Sequence, residues 1–285
     1  MTKEIEHGIK SNFLSHVLST EGMGSIHSVF KSSFNVNFNG ELIHFGQKGS
    51  GLSSFGMNIS NEEMADLLTK VRIDDRVKNR NGKVTIYSRG EIWNLSHSNF
   101  ETYDCSVPII NGISADFLTD LLQHFESLQI EKETQLMDSE QNQILLTKFL
   151  DAEWKDETFQ RMFITHFIGR GIGLTPSGDD MLMGIMMAYQ SFWPEGRWVN
   201  TLAKQLEVSR TTDVSTAYYR TLAEGYTSSY FVEFMQDLKG QDLKKWRERI
   251  RRISQYGHTS GWDTLYGIYL FFKKLEKSMN SERGE

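Results

Sequence analysis

Cysteine, proline, excess positive charge and long apolar runs are all scarce in this 285-residue chain. The single cysteine, Cys105, excludes an internal disulfide and fits a reducing compartment. It follows Tyr103-Asp104 in a strand-like stretch, where a buried, inert thiol is expected rather than a nucleophile. Only three prolines occur, and no Pro- or Ser-rich linker separates the parts, which are expected to pack as one unit. A net charge of −6 leaves no basic footprint for nucleic acid or an anionic membrane. The one basic run, Lys244–Arg252, has the spacing of the solvated face of an amphipathic helix. No apolar run approaches the length of a membrane span. The first residues carry acids and lack the apolar core of a signal peptide, so a cytoplasmic protein is expected. The histidines lack metal-ligand spacing, which argues against zinc, and no pattern calls for haem.

What is present divides the chain in two. From about Gly24 to Val107 alternating apolar residues recur in SIHSVFKSSFNVNF, ELIHFG, KVTIYS and EIWNLS, punctuated by the turn dipeptides Asn39-Gly40 and Asn81-Gly82. Ser60-Asn-Glu-Glu63 reads as a capping box opening a helix at about 61–71. The piece before Gly24, GIKSNFLSHVLS, reads as a leading helix. After about Ser114 helical periodicity takes over to the end. The fold class expected is therefore α+β. A β-rich part over residues 1–112, a small barrel or sandwich with a leading helix, precedes a mainly helical part over 113–285. The acidic stretch 131–140 reads as an exposed helix or loop rather than a partner site.

The most unusual stretch is Gly173–Gly184, GLTPSGDDMLMG. Pro176 biases Thr175 away from helical geometry, and Ser177 with Asp180 reads as an N-cap and capping box. The helix that follows is apolar nearly all round and is expected to be buried. Capping does not explain the alternating glycines upstream, Gly169, Gly171 and Gly173. A glycine-rich loop feeding a helix N-terminus suits a bound anion. It is not a Walker loop, because the Lys-Ser/Thr pair is missing, and no strand precedes it as a dinucleotide fingerprint requires, so no nucleotide is expected. Asp179 and Asp180 beside an anion suggest Mg²⁺. A cap and a ligand site remain alternatives on this stretch alone.

A second copy follows. Ser260-Gly-Trp-Asp-Thr-Leu-Tyr-Gly267 repeats Ser177–Gly184 as Ser-Gly-x-Asp-x-Leu-x-Gly. In each, Ser is the natural N-cap, and Gly four residues after Asp permits another backbone to approach. If the repeat is structural, two helix starts face one ligand. A third polar cluster, Ser209–Ala217, opens another helix with Asp213 or Ser215 as N-cap. Its Arg210 is a candidate planar clamp for a carboxylate or phosphate. His258, in a glycine-flanked loop before the second copy, is either a proton-transfer group or an ordinary loop residue.

At Gly171–Gly184 and Gly257–Gly267 together the chain resembles a bacterial family, long catalogued as a domain of unknown function. That family includes the AllH-type subunit of oxamate carbamoyltransferase, from anaerobic allantoin catabolism. Thr211–Ser215 and Leu222-Ala-Glu-Gly225 also resemble its middle segment. The likeness is strong over the helical half and loose over the β-rich half. It implies a role, alongside two companion subunits, in converting oxalurate and phosphate to oxamate and carbamoyl phosphate. The Ser-Thr-Arg-Thr phosphate motif of the aspartate and ornithine carbamoyltransferases is absent.

The expected site thus has His258 and Asp180 in catalytic roles. Gly171, Gly173, Thr175, Ser177, Gly178, Arg210, Thr212, Ser215, Thr259, Ser260 and Gly261 are expected to bind the anion. Asp179, Asp180 and Asp263 are the candidate Mg²⁺ ligands, and a hydrogen bond to a carbamoyl NH₂ is the other reason for acids to stand there. The competing readings are a non-catalytic scaffold or small-anion-binding subunit, and two buried helix starts with no ligand.

Overall fold

The computed structural model describes residues 2–194, 196–206, 211–255 and 259–283. The chain forms two compact units. One comprises residues 1–106 and 226–229, the other 107–225 and 230–285.

The N-terminal unit is built on a ten-stranded mixed sheet, in the order β1-β9-β8-β7-β3-β4-β5-β6-β2-β10. The strands are β1 (Thr2–Ile5), β2 (Ile9–Ser11), β3 (Gly22–Val29), β4 (Phe34–Phe38), β5 (Glu41–Gln47), β6 (Gly56–Ile59), β7 (Arg76–Arg80), β8 (Lys83–Ser88), β9 (Glu91–Leu95) and β10 (Glu101–Tyr103). The hairpins form where the turn dipeptides stand. Asn39-Gly40 and Asn81-Gly82 both take positive φ at both residues, the conformation that matches the strand twist. Arg89-Gly90 does the same between β8 and β9. Alternation places Val84 and Ile86 of β8 in the core beside Val77, Trp93 and Leu95.

Helix α2 (Asn61–Lys70) carries the complete capping box, with Ser60 and Glu63 bonding reciprocally. The leading helix needs correction. Residues 8–19 give strand β2 and only a four-residue helix, α1 (Leu14–Val17). Sheet pairing of Ile9 and Lys10 with β6 outweighs the local helical pattern. Cys105 is fully buried, and that burial pushes its thiol up to about 11, as expected of an inert thiol.

The C-terminal unit is helical: α3 (Ala115–Ser127), α4 (Ile130–Glu133), α5 (Glu140–Asp151), α6 (Glu157–Phe167), α7 (Ser177–Phe192), α8 (Arg197–Leu206), α9 (Asp213–Ala223), α10 (Ser229–Lys239), α11 (Leu243–Ser254) and α12 (Ser260–Arg283). The basic run lies in α11, which buries Trp246, Ile250 and Ile253, exposes Lys244, Lys245, Arg247, Arg251 and Arg252, and pairs the half-buried Arg249 with Glu233 and Asp237. Among the described residues no helix is long and apolar enough to cross a membrane.

The unit is organised around α7 and α12, which run parallel, N-terminus beside N-terminus. A Cβ on Gly184 would stand 2.1 Å from the Thr264 carbonyl oxygen and 3.1 Å from Ile268 N. A Cβ on Gly267 would stand 2.0 Å from the Met181 carbonyl oxygen and 3.0 Å from Ile185 N. The eighth residue of each copy thus meets the fifth and ninth of the other, a local two-fold relation. Both obstacles are backbone, so neither can swing aside. Gly267→Ala or Gly184→Ala is expected to lower stability by about 3 kcal/mol, read by urea denaturation. A loss under about 0.5 kcal/mol would show that the helices slide apart freely.

Farther along α12, Lys274 is buried and donates to the carbonyls of Phe149, at 2.7 Å, and Ala152, capping the end of α5. Its ammonium also lies 4.8 Å from the Trp154 ring centre. Burial pulls its pKa down to about 8 from 10.5. The unfolded chain therefore binds the extra proton between those values, and folding stability rises with pH across that window. Relative to Lys274→Met, the wild type is expected to gain up to about 3 kcal/mol from pH 8 to 10.5. A flat or falling difference would contradict this.

Candidate functional site

The loop leading into α7 is shaped by its glycines. Gly169, Gly171 and Gly173 have φ of 69°, 123° and 95°, where side chains are strained. A Cβ on Gly171 would also press within 2.8 Å of Ser177 N. The loop folds back so that the Arg170 carbonyl accepts from Gly178 N at 2.8 Å, while the Pro176 carbonyl accepts from Asp179 N and Asp180 N. Much of the helix's orphan donor set is therefore taken by the loop itself.

This geometry corrects the capping assignment. Pro176 is the N-cap residue of α7, no side chain caps it, and Ser177 is the first helical residue. Ser260 likewise stands as the first residue of α12. The two copies keep the same phase, one step later than the capping reading. With Pro176 already extended at the boundary, each serine hydroxyl turns across to the other helix. The Ser260 hydroxyl stands against the Asp180 carboxyl and the Ser177 hydroxyl against the Asp263 carboxyl, each favouring the ionised form of the acid it faces. Thr175 Oγ1 and Ser260 Oγ lie 2.9 Å apart. The first residue of each copy thus contacts the fourth of the other.

Both carboxyls are buried, Asp180 at 4% and Asp263 at 0% exposure. Burial, first of all, drives the Asp180 carboxyl well above the usual range. The Ser260 and Thr175 hydroxyls oppose this, while Asp263 and Asp179 add to it as neighbouring negative charges. Burial raises Asp263 too, against hydroxyls from Thr134, Ser177 and Thr259 and the Gln135 N–H. Thr134 Oγ1 donates to Asp263 Oδ1 at 2.6 Å. Oδ2 of Asp180 and Oδ2 of Asp263 are buried with no hydrogen-bond partner.

Asp179 does a different job. Its Oδ1 accepts from Gly169 N at 2.8 Å and from the Tyr219 hydroxyl at 2.9 Å, and its Oδ2 accepts from Thr211. This buried carboxylate ties the glycine loop to the segment before α9. Leu174 reinforces the tie, its carbonyl accepting from Thr212 and, at 3.5 Å, from Ser215. Thr212 is also the N-cap of α9, accepting from Ser215 N at 3.0 Å, so neither Asp213 nor Ser215 caps that helix.

The expected residues therefore come together to a large degree. Thr175, Ser177, Asp180, Thr259, Ser260 and Asp263 form one clasp, and Thr212 and Ser215 join it through Leu174. Gly171 and Gly173 shape the exposed loop, and Gly178 fits under Phe167, whose carbonyl oxygen would stand 2.1 Å from a Cβ there. Arg210 and His258 lie outside the described residues. Among the described residues no three acidic, histidine or cysteine side chains group as metal ligands do. Asp179 has both oxygens engaged, which leaves one oxygen each of Asp180 and Asp263 unpartnered among the three acids.

The sequence reading missed Thr134 and Tyr219. Thr134 sits in the acidic stretch read as exposed, yet it is 5% exposed. Only its apolar neighbours Ile130 and Leu136 hinted at burial. Tyr219 lies six residues past Asp213 on α9, and no local pattern marks it.

Two family models match the chain. One, described as oxamate carbamoyltransferase subunit AllH, covers residues 167–272, and the other, the AllH family N-terminal domain, covers 4–101. The chain belongs to the AllH family. The first match spans both helix starts and the α9 cluster, and the second spans almost all of the ten-stranded sheet. The family is named for a subunit of a multi-subunit enzyme. No solved structure matches this AllH-family chain.

The raised carboxyls make the clasp sensitive to pH. A carboxyl whose folded pKa lies above its unfolded value contributes stability that is full below the unfolded value and lost as pH rises through the folded one. Wild type is expected to lose stability relative to Asp180→Asn as pH rises above the usual carboxylate range, followed by urea denaturation from pH 4 to 9. A wild type that instead gains on the variant would mean the Asp180 carboxyl is stabilised as an anion.

Proposed function

We propose that the paired N-termini of α7 and α12 form the small-anion and carbamoyl site of an oxamate carbamoyltransferase-like enzyme, of which this chain is one subunit. The observation carrying this reading is the reciprocal contact, Ser260 to Asp180 and Ser177 to Asp263, with one buried carboxyl oxygen left over on each side. A purely structural clasp would be expected to consume all four carboxyl oxygens.

The chemistry follows from the protonation state. A carboxyl that keeps its proton above the usual range is a neutral O–H donor, so Asp180 can face an anion that an ionised carboxylate would repel. Protonated Asp180 would donate to a carboxylate or phosphate oxygen. The unpartnered oxygen of Asp263 would accept from a carbamoyl NH₂, and the Thr175, Ser260 and Thr259 hydroxyls would complete the shell. Oxalurate and carbamoyl phosphate each carry both an anionic end and a carbamoyl end. During transfer of the carbamoyl group to phosphate, an acid at the oxamate nitrogen would supply the proton that this leaving group needs. Asp180 has the buried setting for that role, and His258 is the second proton-transfer candidate by its place in the sequence. Arg210 is the candidate anion clamp. Mg²⁺ is not needed to reconcile the acids with the anion once Asp180 is protonated.

A specific observation favours a second reading, a non-catalytic scaffold or anion-binding subunit. The α7 amides are largely spent on the loop, and Ile172 stands 82% exposed at the tip of that loop. Reconstituting the complex with its companion subunits separates the two. Asp180→Asn and Ser260→Ala are expected to cut phosphate-dependent oxalurate breakdown by roughly 100-fold or more while assembly persists. Full activity in assembled complexes carrying both substitutions would leave the scaffold reading standing.

A further inference from the structure

A second polar arrangement lies in the N-terminal unit. On one face of the sheet, Phe34, Val36, Ile43, Phe45, Met57 and Ile59 form the apolar core. The opposite face carries a polar row in cross-strand register. Ser28 pairs with Asn35, Asn35 with His44 and His44 with Gly56, while one step along Gly46 pairs with Asn58. Asn35 and Asn58 are 2% and 3% exposed, while Ser28 and His44 between and beside them are half-buried, so the row is largely sheltered but open at the imidazole.

The hydrogen bonds fix which atoms are left over. Asn58 Nδ2 donates to the Ser50 carbonyl at 3.2 Å. A carbonyl only accepts, so the amide orientation is set and Oδ1 faces away, buried with no partner. Asn35 Nδ2 lies 3.0 Å from Ser28 Oγ and Asn35 Oδ1 lies 2.8 Å from His44 Nδ1, and in this amide orientation Nδ1 is the donor. His44 Nε2 then carries the lone pair.

The glycines place these atoms close together. A Cβ on Gly46 would stand 3.3 Å from His44 Nε2 and 2.5 Å from Asn58 Oδ1. Ser53 lies against Gly56, directly across from His44, and its buried hydroxyl also lacks a partner. The segment bearing Ser53 is pinned, since Leu52 N donates to Ser229 Oγ and Ser229 N to the Leu52 carbonyl, both at 2.9 Å. Two acceptors, His44 Nε2 and Asn58 Oδ1, thus stand together at Gly46, with Ser53 at Gly56 on the neighbouring strand.

The row is also uncharged. Burial alone moves the His44 imidazole, down to about 4, and no charged group contributes. An ammonium would find no carboxylate to neutralise it here, and an anion would face two acceptors. We propose that this row binds a neutral primary amide or ureido group, with its N–H donors on His44 Nε2 and Asn58 Oδ1 and its carbonyl on the Ser53 hydroxyl. No residue is shared with the α7–α12 clasp, so the two readings stand or fall separately.

Long-range ¹H–¹⁵N spectra of the full chain, labelled at histidine, test this directly with N-methylurea as the probe and acetate and methylguanidinium as charged controls. The expected result is an unprotonated His44 Nε2 whose resonance shifts saturably with N-methylurea and with neither control. Asn58→Leu and Ser53→Ala are each expected to weaken that response roughly tenfold. Ser53→Ala removes only a hydroxyl and keeps the test valid where Asn58→Leu fails to fold. The proposal is overturned by a protonated Nε2, by an equal response to acetate, by a response unchanged in folded Ser53→Ala, or by an Nε2 that reports a bound water only and ignores the probe.

Discussion

The close approach of two backbones at Gly184 and Gly267 is the constraint on which the helical unit depends. Side chains at either position would hold α7 and α12 apart, since the obstructing atoms are the Thr264 and Met181 carbonyl oxygens. Because the helices run parallel and in the same phase, that contact also sets where their first turns lie. Ser177, Asp180, Ser260 and Asp263 are brought into reach of each other by glycines one or two turns away. Burial of the two carboxyls follows, and with it their resistance to ionisation.

Three neighbouring acids therefore do different work. Asp179, with three donors on its two oxygens, is a tie between the glycine loop, α7 and the start of α9. Asp180 and Asp263 each keep an oxygen unspent in a buried setting. An acid in such a place is destabilising as an anion and useful as a neutral donor, which is the trade expected of a site rather than of a core. The Arg170 and Pro176 carbonyls take the Gly178 and Asp179 amides of the first turn, so under the proposed reading the anion is met chiefly by hydroxyls and a protonated carboxyl.

Much of this was legible in the chain because it was local. The turn dipeptides, the Ser60–Glu63 capping box and the all-round apolar run of α7 each carry their own physics over a few residues. The repeat Ser-Gly-x-Asp-x-Leu-x-Gly also carried the close approach of backbones, because glycine on a buried helix face has few other uses. Capping was misread at Ser177 because a serine before an apolar run suits two roles. Only the partner helix shows that the hydroxyl reaches across instead of back. Thr134 and Tyr219 were invisible for the same reason, since their acceptors, Asp263 and Asp179, lie 129 and 40 residues away. The brief strand β2 escaped too, because three residues of pairing leave no periodicity to read.

The central claim is that Asp180 is a neutral acid held ready for an anionic ligand. Isotope-edited infrared difference spectroscopy of that carboxyl, at neutral pH with oxalurate or phosphate added to the assembled enzyme, tests it most directly. The account predicts a protonated carboxyl C=O band that shifts when the ligand binds and is missing in Asp180→Asn. An ionised carboxylate band, unchanged by either ligand, would contradict it.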